Sequence, residues 1–137
     1  MRLQKIQLLY SLDAALNYFN AIANQPWAML LHSGNASHPH NRFDIVVADP
    51  VTTLETRDSI TQIHRENEKI SLELDPFELL KSEMQHLNLT FTVNSDLPFQ
   101  GGALGIWGYD LGRRIEILPE LAKKELSFPD MAIGVYL

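Results

Sequence analysis

"VTTLETRDSITQIHRENEKISLEL", residues 51–74, runs straight into "DPFELLKSEMQHL", residues 75–87, and this junction decides the fold. The first stretch is rich in Thr, Ile, Val and charge, with apolar and polar residues partly alternating. That period sends one set of side chains into a core and leaves the other wet, as in an antiparallel sheet. Turns near Asp58 and at "ENEK" (66–69) divide it into two or three strands. The second stretch changes period. Phe77, Leu80, Met84 and Leu87 recur at helical spacing, Asp75 stands where an N-cap belongs, and Pro76 fills the first helical position.

On the N-terminal side, "KIQLLY" (5–10) reads as a short strand and residues 12–24 as a helix. Leu12, Ala15, Leu16, Phe19, Ile22 and Ala23 share its apolar face, Ser11 is placed to cap it, and Pro26 prevents a long continuation. "WAMLLH" (27–32) and "RFDIVVADP" (42–50) read as strands around the loop "SGNASHPHN" (33–41). On the C-terminal side, "NLTFTVNSDLP" reads as a linker, "GGALGIWGYD" as a strand, "LPELAKKE" as a short helix and "MAIGVYL" (131–137) as a last strand. The expectation is an α+β domain, mainly antiparallel β-sheet with two principal helices, in a single unit over 1–137. A buried-type strand at the very end of the sequence also predicts a domain of a longer parent.

Composition narrows the function. The 137 residues include 45% hydrophobic and 20% charged residues, as in an ordinary globular domain with a real core. There is no cysteine, hence no disulfide and no thiolate chemistry, which is compatible with a cytoplasmic location. No apolar run is long enough to span a membrane, and no secretory signal pattern opens the chain. A net charge of −6 argues against binding a nucleic-acid backbone.

No catalytic centre emerges from the residues themselves. Gly101, Gly102, Gly105 and Gly108 do not fit G-x-G-x-x-G. They read instead as places where Trp107, Tyr109 or a neighbouring strand approaches the backbone. His32, His38 and His40 lie close together, and "HPH" is able to offer two imidazoles to one metal. No Asp or Glu falls within residues 32–40 to complete a site, so no metal ligand is assigned. His64 and His86 read as surface residues. Ser33 lacks the flanks of a nucleophile elbow. Arg113 and Arg114 read as the start of a helix or as an anion grip.

The strings "WAMLLHSG", "RFDIVVADP", "DLPFQGGALGIWGYDLGRRIE" and "PDMAIGVY" occur in this order between residues 27 and 136. Together they resemble the N-terminal region of the component I family of chorismate-utilising synthases, which make aminodeoxychorismate or anthranilate. The resemblance implies the N-terminal part of that fold, with the catalytic C-terminal half absent. The full-length proteins are about three times longer. In the aminodeoxychorismate branch they aminate chorismate to 4-amino-4-deoxychorismate, for para-aminobenzoate and folate, with ammonia from a glutamine amidotransferase subunit. The resemblance implies no catalytic residue and no cofactor in this chain; Mg²⁺ belongs with the absent half. It further implies a tryptophan pocket formed by Ser33, His40, Asn41, Arg42 and Phe43, with Leu31 as a wall. His40 stands where relatives often carry an aromatic residue. Arg42 has a second, structural reading through Asp44. The anthranilate branch usually has Glu before the pocket Ser, where this chain has His32. The alternative is a stand-alone amino-acid-binding module of the same ancestry, or the equivalent region of an anthranilate synthase.

Overall fold

A computed structural model of the chain describes residues 4–9, 11–34, 38, 41–89, 97–119 and 126–137. Its elements in chain order are α1 (Ala14–Ile22), β1 (Met29–Leu31), β2 (Ile45–Val47), β3 (Thr52–Arg57), β4 (Ile60–Arg65), β5 (Glu68–Leu72), α2 (Pro76–His86), β6 (Gly102–Trp107) and β7 (Met131–Tyr136). A 3₁₀ turn, Tyr109–Arg114, follows β6. The strands form a two-stranded β1–β2 ribbon and a five-stranded sheet in the order β5-β4-β3-β7-β6. Every pairing is antiparallel.

Residues 51–74 fold as their pattern requires, into three strands with turns at Asp58 and Glu66, both in the left-handed region at φ 51° and 42°. Leu54 pairs across β3 with Ile63 on one side and Ile133 on the other, so all three share one face of the sheet. That face is the core: Leu54, Ile63, Met131, Ile133 and Val135 are sealed from solvent, each stabilising the fold by about 1.5–3 kcal/mol through burial. Helix α2 closes it with Leu79 and Leu80. The Asp75 carboxylate accepts from the Phe77 amide at 2.8 Å, the cap that the sequence announces.

Several expectations are corrected. Residues 4–9 form no strand, and Ile6, Leu8 and Leu9 are exposed, because no neighbouring strand among the described residues takes up their backbone. Helix α1 begins at Ala14, and Ser11 serves it through its backbone: the Ala14 amide donates to the Ser11 carbonyl, and Asp13 at the N-cap makes no side-chain bond. Of its apolar face only Ala15 is buried, while Leu12, Leu16 and Ala23 face solvent. On α2 Leu79, Leu80 and Glu83 are buried, Met84 and Leu87 of the expected face pack against the core partly buried, and Phe77, more exposed, stacks on Trp107, ring centroids 5.6 Å apart. Arg113 and Arg114 close the 3₁₀ turn and do not open a helix. The expected short helix at "LPELAKKE" and most of the "NLTFTVNSDLP" linker lie outside the described residues.

The glycines of β6 answer to close approach. A Cβ on Gly105 would sit 2.2 Å from the Ala132 carbonyl oxygen and 2.6 Å from Ile133 Cα. At Gly108 it would lie 2.8 Å from the Asp130 carbonyl oxygen, which accepts the Gly108 amide at the same distance. Glycine thus lets β6 lie tight against β7.

Candidate functional site

The β1–β2 ribbon holds the residues the sequence singles out. Leu31 pairs with Ile45, so residues 32–44 form the whole connection between the two strands. At its base, three donors converge on one oxygen. The Ser33 amide reaches Asp44 Oδ1 at 2.8 Å, the Ser33 hydroxyl at 2.9 Å and His32 Nδ1 at 2.9 Å. The Ser33 amide first, then the His32 ring, hold the Asp44 carboxyl below the usual aspartate range. A carboxylate clamped in this way stays ionised at neutral pH. Among the described residues its second oxygen, Oδ2, accepts no hydrogen bond, and the side chain is about one-third exposed, 31%. The clamp therefore presents a fixed negative charge at the mouth of the ribbon.

Beside it, the Arg42 guanidinium lies over the Phe43 ring, 5.2 Å from the centroid, within reach of a cation–π contact worth about 0.5–1 kcal/mol at an exposed site. This corrects the structural reading of Arg42: Asp44 is held by His32 and Ser33, and Arg42 is spent on Phe43. The Asn41 amide donates to the His38 carbonyl at 2.9 Å, and Phe43 is half-buried. Leu31 is 52% exposed and walls nothing off by itself. His40 lies outside the described residues. Ser33, Asn41, Arg42 and Phe43 lie in the connection between the two strands, where Ser33 contacts Asp44 and Arg42 contacts Phe43.

The residue missed in the sequence is Asp44 as the hub. A signal was present: a lone acid directly before a β-branched strand, facing a Ser-Gly turn. Its choice between Arg42 and the His32–Ser33 pair depends on the ribbon's register, which residue types alone do not disclose. Among the described residues no group of three His, Asp or Glu side chains is gathered to hold a metal, and His38 of the "HPH" motif is exposed.

The ribbon is tied to the main sheet through Tyr136. Its hydroxyl donates to the Trp27 carbonyl at 2.9 Å, and burial pushes the phenol up to about 12. A Cβ on Gly134 would meet that ring at 2.7 Å, so the phenol lies against a glycine beneath it.

Elsewhere, an open apolar groove of about 420 Å³ runs along α2, lined by Phe77, Leu80, Met84 and Leu89. A smaller polar cleft of about 300 Å³ is framed by Asp58, Asp110, Arg113 and Arg114. There Arg113 is bound to Asp110 at 2.8 Å and to the Leu118 carbonyl, and Arg114 donates to the Asp58 carbonyl. Arg113 is thus neutralised by an ion pair, whereas Arg114 commits one donor to a backbone carbonyl.

The chain matches no family model. It is 50% identical over 131 residues to aminodeoxychorismate synthase component 1 of Escherichia coli (strain K12), covering 96% of this chain and 29% of that protein. It is 52% identical over 131 residues to the protein of the same name from Salmonella typhimurium, with the same coverage. Similarity to anthranilate synthase component 1 of Mycolicibacterium smegmatis is lower, 30% over 117 residues, covering 85% of this chain and 22% of that protein. The chain spans 29% of the length of the first two relatives, at their N-terminal end. No helix among the described residues is long and apolar enough to cross a membrane.

Proposed function

We propose that this chain, a homologue of the N-terminal part of aminodeoxychorismate synthase component 1, is the scaffold and tryptophan-binding region of such a synthase. The observation that supports it is identity of 50–52% to the two enterobacterial component 1 proteins along nearly the whole chain, against 30% to the mycobacterial anthranilate synthase component. On this reading the complete protein aminates chorismate to 4-amino-4-deoxychorismate, the precursor of para-aminobenzoate and folate. Its partners are the C-terminal catalytic half of the same parent and a glutamine amidotransferase subunit that supplies ammonia. The Mg²⁺ that the chemistry uses belongs with the catalytic half; the described residues of this chain offer no carboxylate cluster that fits it.

Within this chain the ribbon is the tryptophan site. The Asp44 carboxylate, ionised and with one oxygen uncommitted among the described residues, receives the ligand's ammonium group. Ser33 orients that carboxylate by donating its hydroxyl proton to it, and the hydroxyl oxygen keeps its lone pairs to accept from the same ammonium group. Phe43, backed by Arg42, supplies an aromatic face for the indole.

Calorimetry with L-tryptophan tests this, since Trp27 and Trp107 confound fluorescence. The expected result is saturable heat that Asp44→Asn lowers by about tenfold or more, as a charge-assisted contact requires. Absence of heat at millimolar tryptophan refutes the tryptophan role. Chorismate amination with ammonia by the chain alone is expected to be nil, and turnover would overturn the scaffold reading.

A further inference from the structure

The three donors on Asp44 are not alike. Two come from Ser33, an amide and a hydroxyl, and neither changes charge near neutral pH. The third is an imidazole, the one side chain of ordinary proteins that gains or loses charge between about pH 5 and pH 8. Its protonation is legible from the contact. An ionised carboxyl offers lone pairs only, so the His32 Nδ1 that lies 2.9 Å from Asp44 Oδ1 must carry a hydrogen. The neutral ring is therefore the Nδ1–H tautomer, and its remaining lone pair is on Nε2, where the next proton binds.

We propose that His32 is the positioning residue that sets how strongly Asp44 holds a cation: neutral, it steadies the carboxylate through one hydrogen bond; protonated on Nε2, it offsets the carboxylate's charge and weakens the hold on the ligand's ammonium group. This rests on the reading of the ribbon as a tryptophan site. The surroundings leave the effect to His32. Among the described residues it is the one titratable or charged group that acts on Asp44. The strands beside it, Met29–Leu31 and Ile45–Val47, are wholly apolar. Helix α1, which packs on both, carries no charged side chain from Ala14 to Ile22, and its one phenol, Tyr18, is exposed. Within the connection, the Arg42 guanidinium lies over Phe43, and His38 is exposed. His40 lies outside the described residues.

The size of the effect follows from exposure. The His32 and Asp44 side chains are 24% and 31% exposed, so water screens them and the interaction is that of a surface, not an interior. A unit charge about 4–6 Å from the ligand's ammonium then changes affinity by about three- to sixfold. The sign is fixed: proton and ligand are both cations competing for one carboxylate's field. Affinity therefore rises with pH as the ring loses its proton, while Asp44, held below the usual aspartate range, stays ionised throughout.

The test is calorimetry of the whole 137-residue chain with L-tryptophan from about pH 5.5 to about pH 7.5, beside His32→Asn. The Asn amide nitrogen is able to take the place of Nδ1 as donor but gains no charge. The natural chain should bind about three- to sixfold more tightly at the upper pH. His32→Asn should match it there, bind more tightly than it at the lower pH, and show a flat profile; a residue that only props the loop would move affinity equally at every pH. Position 32 is exposed, and circular dichroism checks that the variant folds. Nitrogen-15 NMR of the ring, with no ligand added, should show the neutral form protonated on Nδ1. The proposal alone is overturned by saturable heat with a flat profile in the natural chain, by a pH dependence that survives His32→Asn, or by a neutral ring protonated on Nε2. Absence of heat at every pH is a different failure: it refutes the tryptophan reading, and the proposal with it.

Discussion

Removing Arg65 should damage this protein more than removing its partner, Glu83. The Glu83 side chain sits on the inner face of α2 and is 2% exposed, whereas that of Arg65, at the end of β4, is 31% exposed. Arg65 Nε donates to Glu83 Oε2 at 2.7 Å, and a second guanidinium nitrogen donates to Oε1, so the pair is bidentate. The Glu83 carboxylate, before any other influence, raises the Arg65 pKa. Arg65→Ala leaves a carboxylate sealed beneath the helix with no counter-charge. Such an orphan costs about 3–5 kcal/mol, against a total stability of about 5–15 kcal/mol for a domain. For a chain of this length that corresponds to a fall in Tm of roughly 10–20 °C. Glu83→Gln keeps the shape, and Arg65 still has a path to water, so the cost is about 1–2 kcal/mol. Replacing both by apolar residues, Arg65→Leu with Glu83→Leu, should recover most of the loss, because no charge is then buried. Thermal and urea melts of the four proteins decide it. A melting point for Arg65→Ala at or above that of Glu83→Gln would refute the reasoning, since it would mean that the carboxylate reaches solvent.

Two further outcomes follow from the packing. Gly105→Ala should destabilise by roughly 1–3 kcal/mol or more, because its methyl meets β7 backbone at 2.2 Å and backbone gives way less easily than a side chain. Gly112→Ala, whose nearest neighbour is a Leu118 methyl at 3.5 Å, should be near neutral in the same denaturant melts, and equal costs would contradict the close-approach account. Tyr136→Phe should cost about 1 kcal/mol at neutral pH through the lost bond to Trp27. The folded phenol keeps its proton to about 12 while the unfolded one ionises near the ordinary tyrosine value of 10.0. Its stabilising effect is therefore whole below pH 10 and declines as pH rises towards 12. The stability gap between the two proteins, followed by denaturation at each pH, should narrow across that window, and a constant gap would contradict a buried phenol.

Local signals carried far in this sequence. The alternation in 51–74, the turns at Asp58 and Glu66, and the Asp75–Pro76 start of α2 depend on neighbours within a few residues, so each was legible without a partner in view. The resemblance to the synthase family was legible for the same reason, from short contiguous text, and the chain is 50% identical to one such protein over 131 residues. Helix α1 shows the limit of period. Its pattern offered six apolar positions, of which Ala15 alone is fully buried and Phe19 and Ile22 are partly so. The ribbon shows it again, since the bonds from His32 and Ser33 to Asp44 were not foreseeable from residue types alone.

What the chain alone determined was which residues are able to form strands, where those strands break and which helix is firmly started, because dihedral preference and side-chain period act over a handful of residues. Tertiary structure decided the rest: that β7, last in order, inserts between β3 and β6; that Arg65 reaches Glu83 across 18 positions; that β6 and not β7 is the outermost strand among the described residues. Those outcomes turn on which distant groups exclude water together, and that quantity exists only once the whole sheet is assembled.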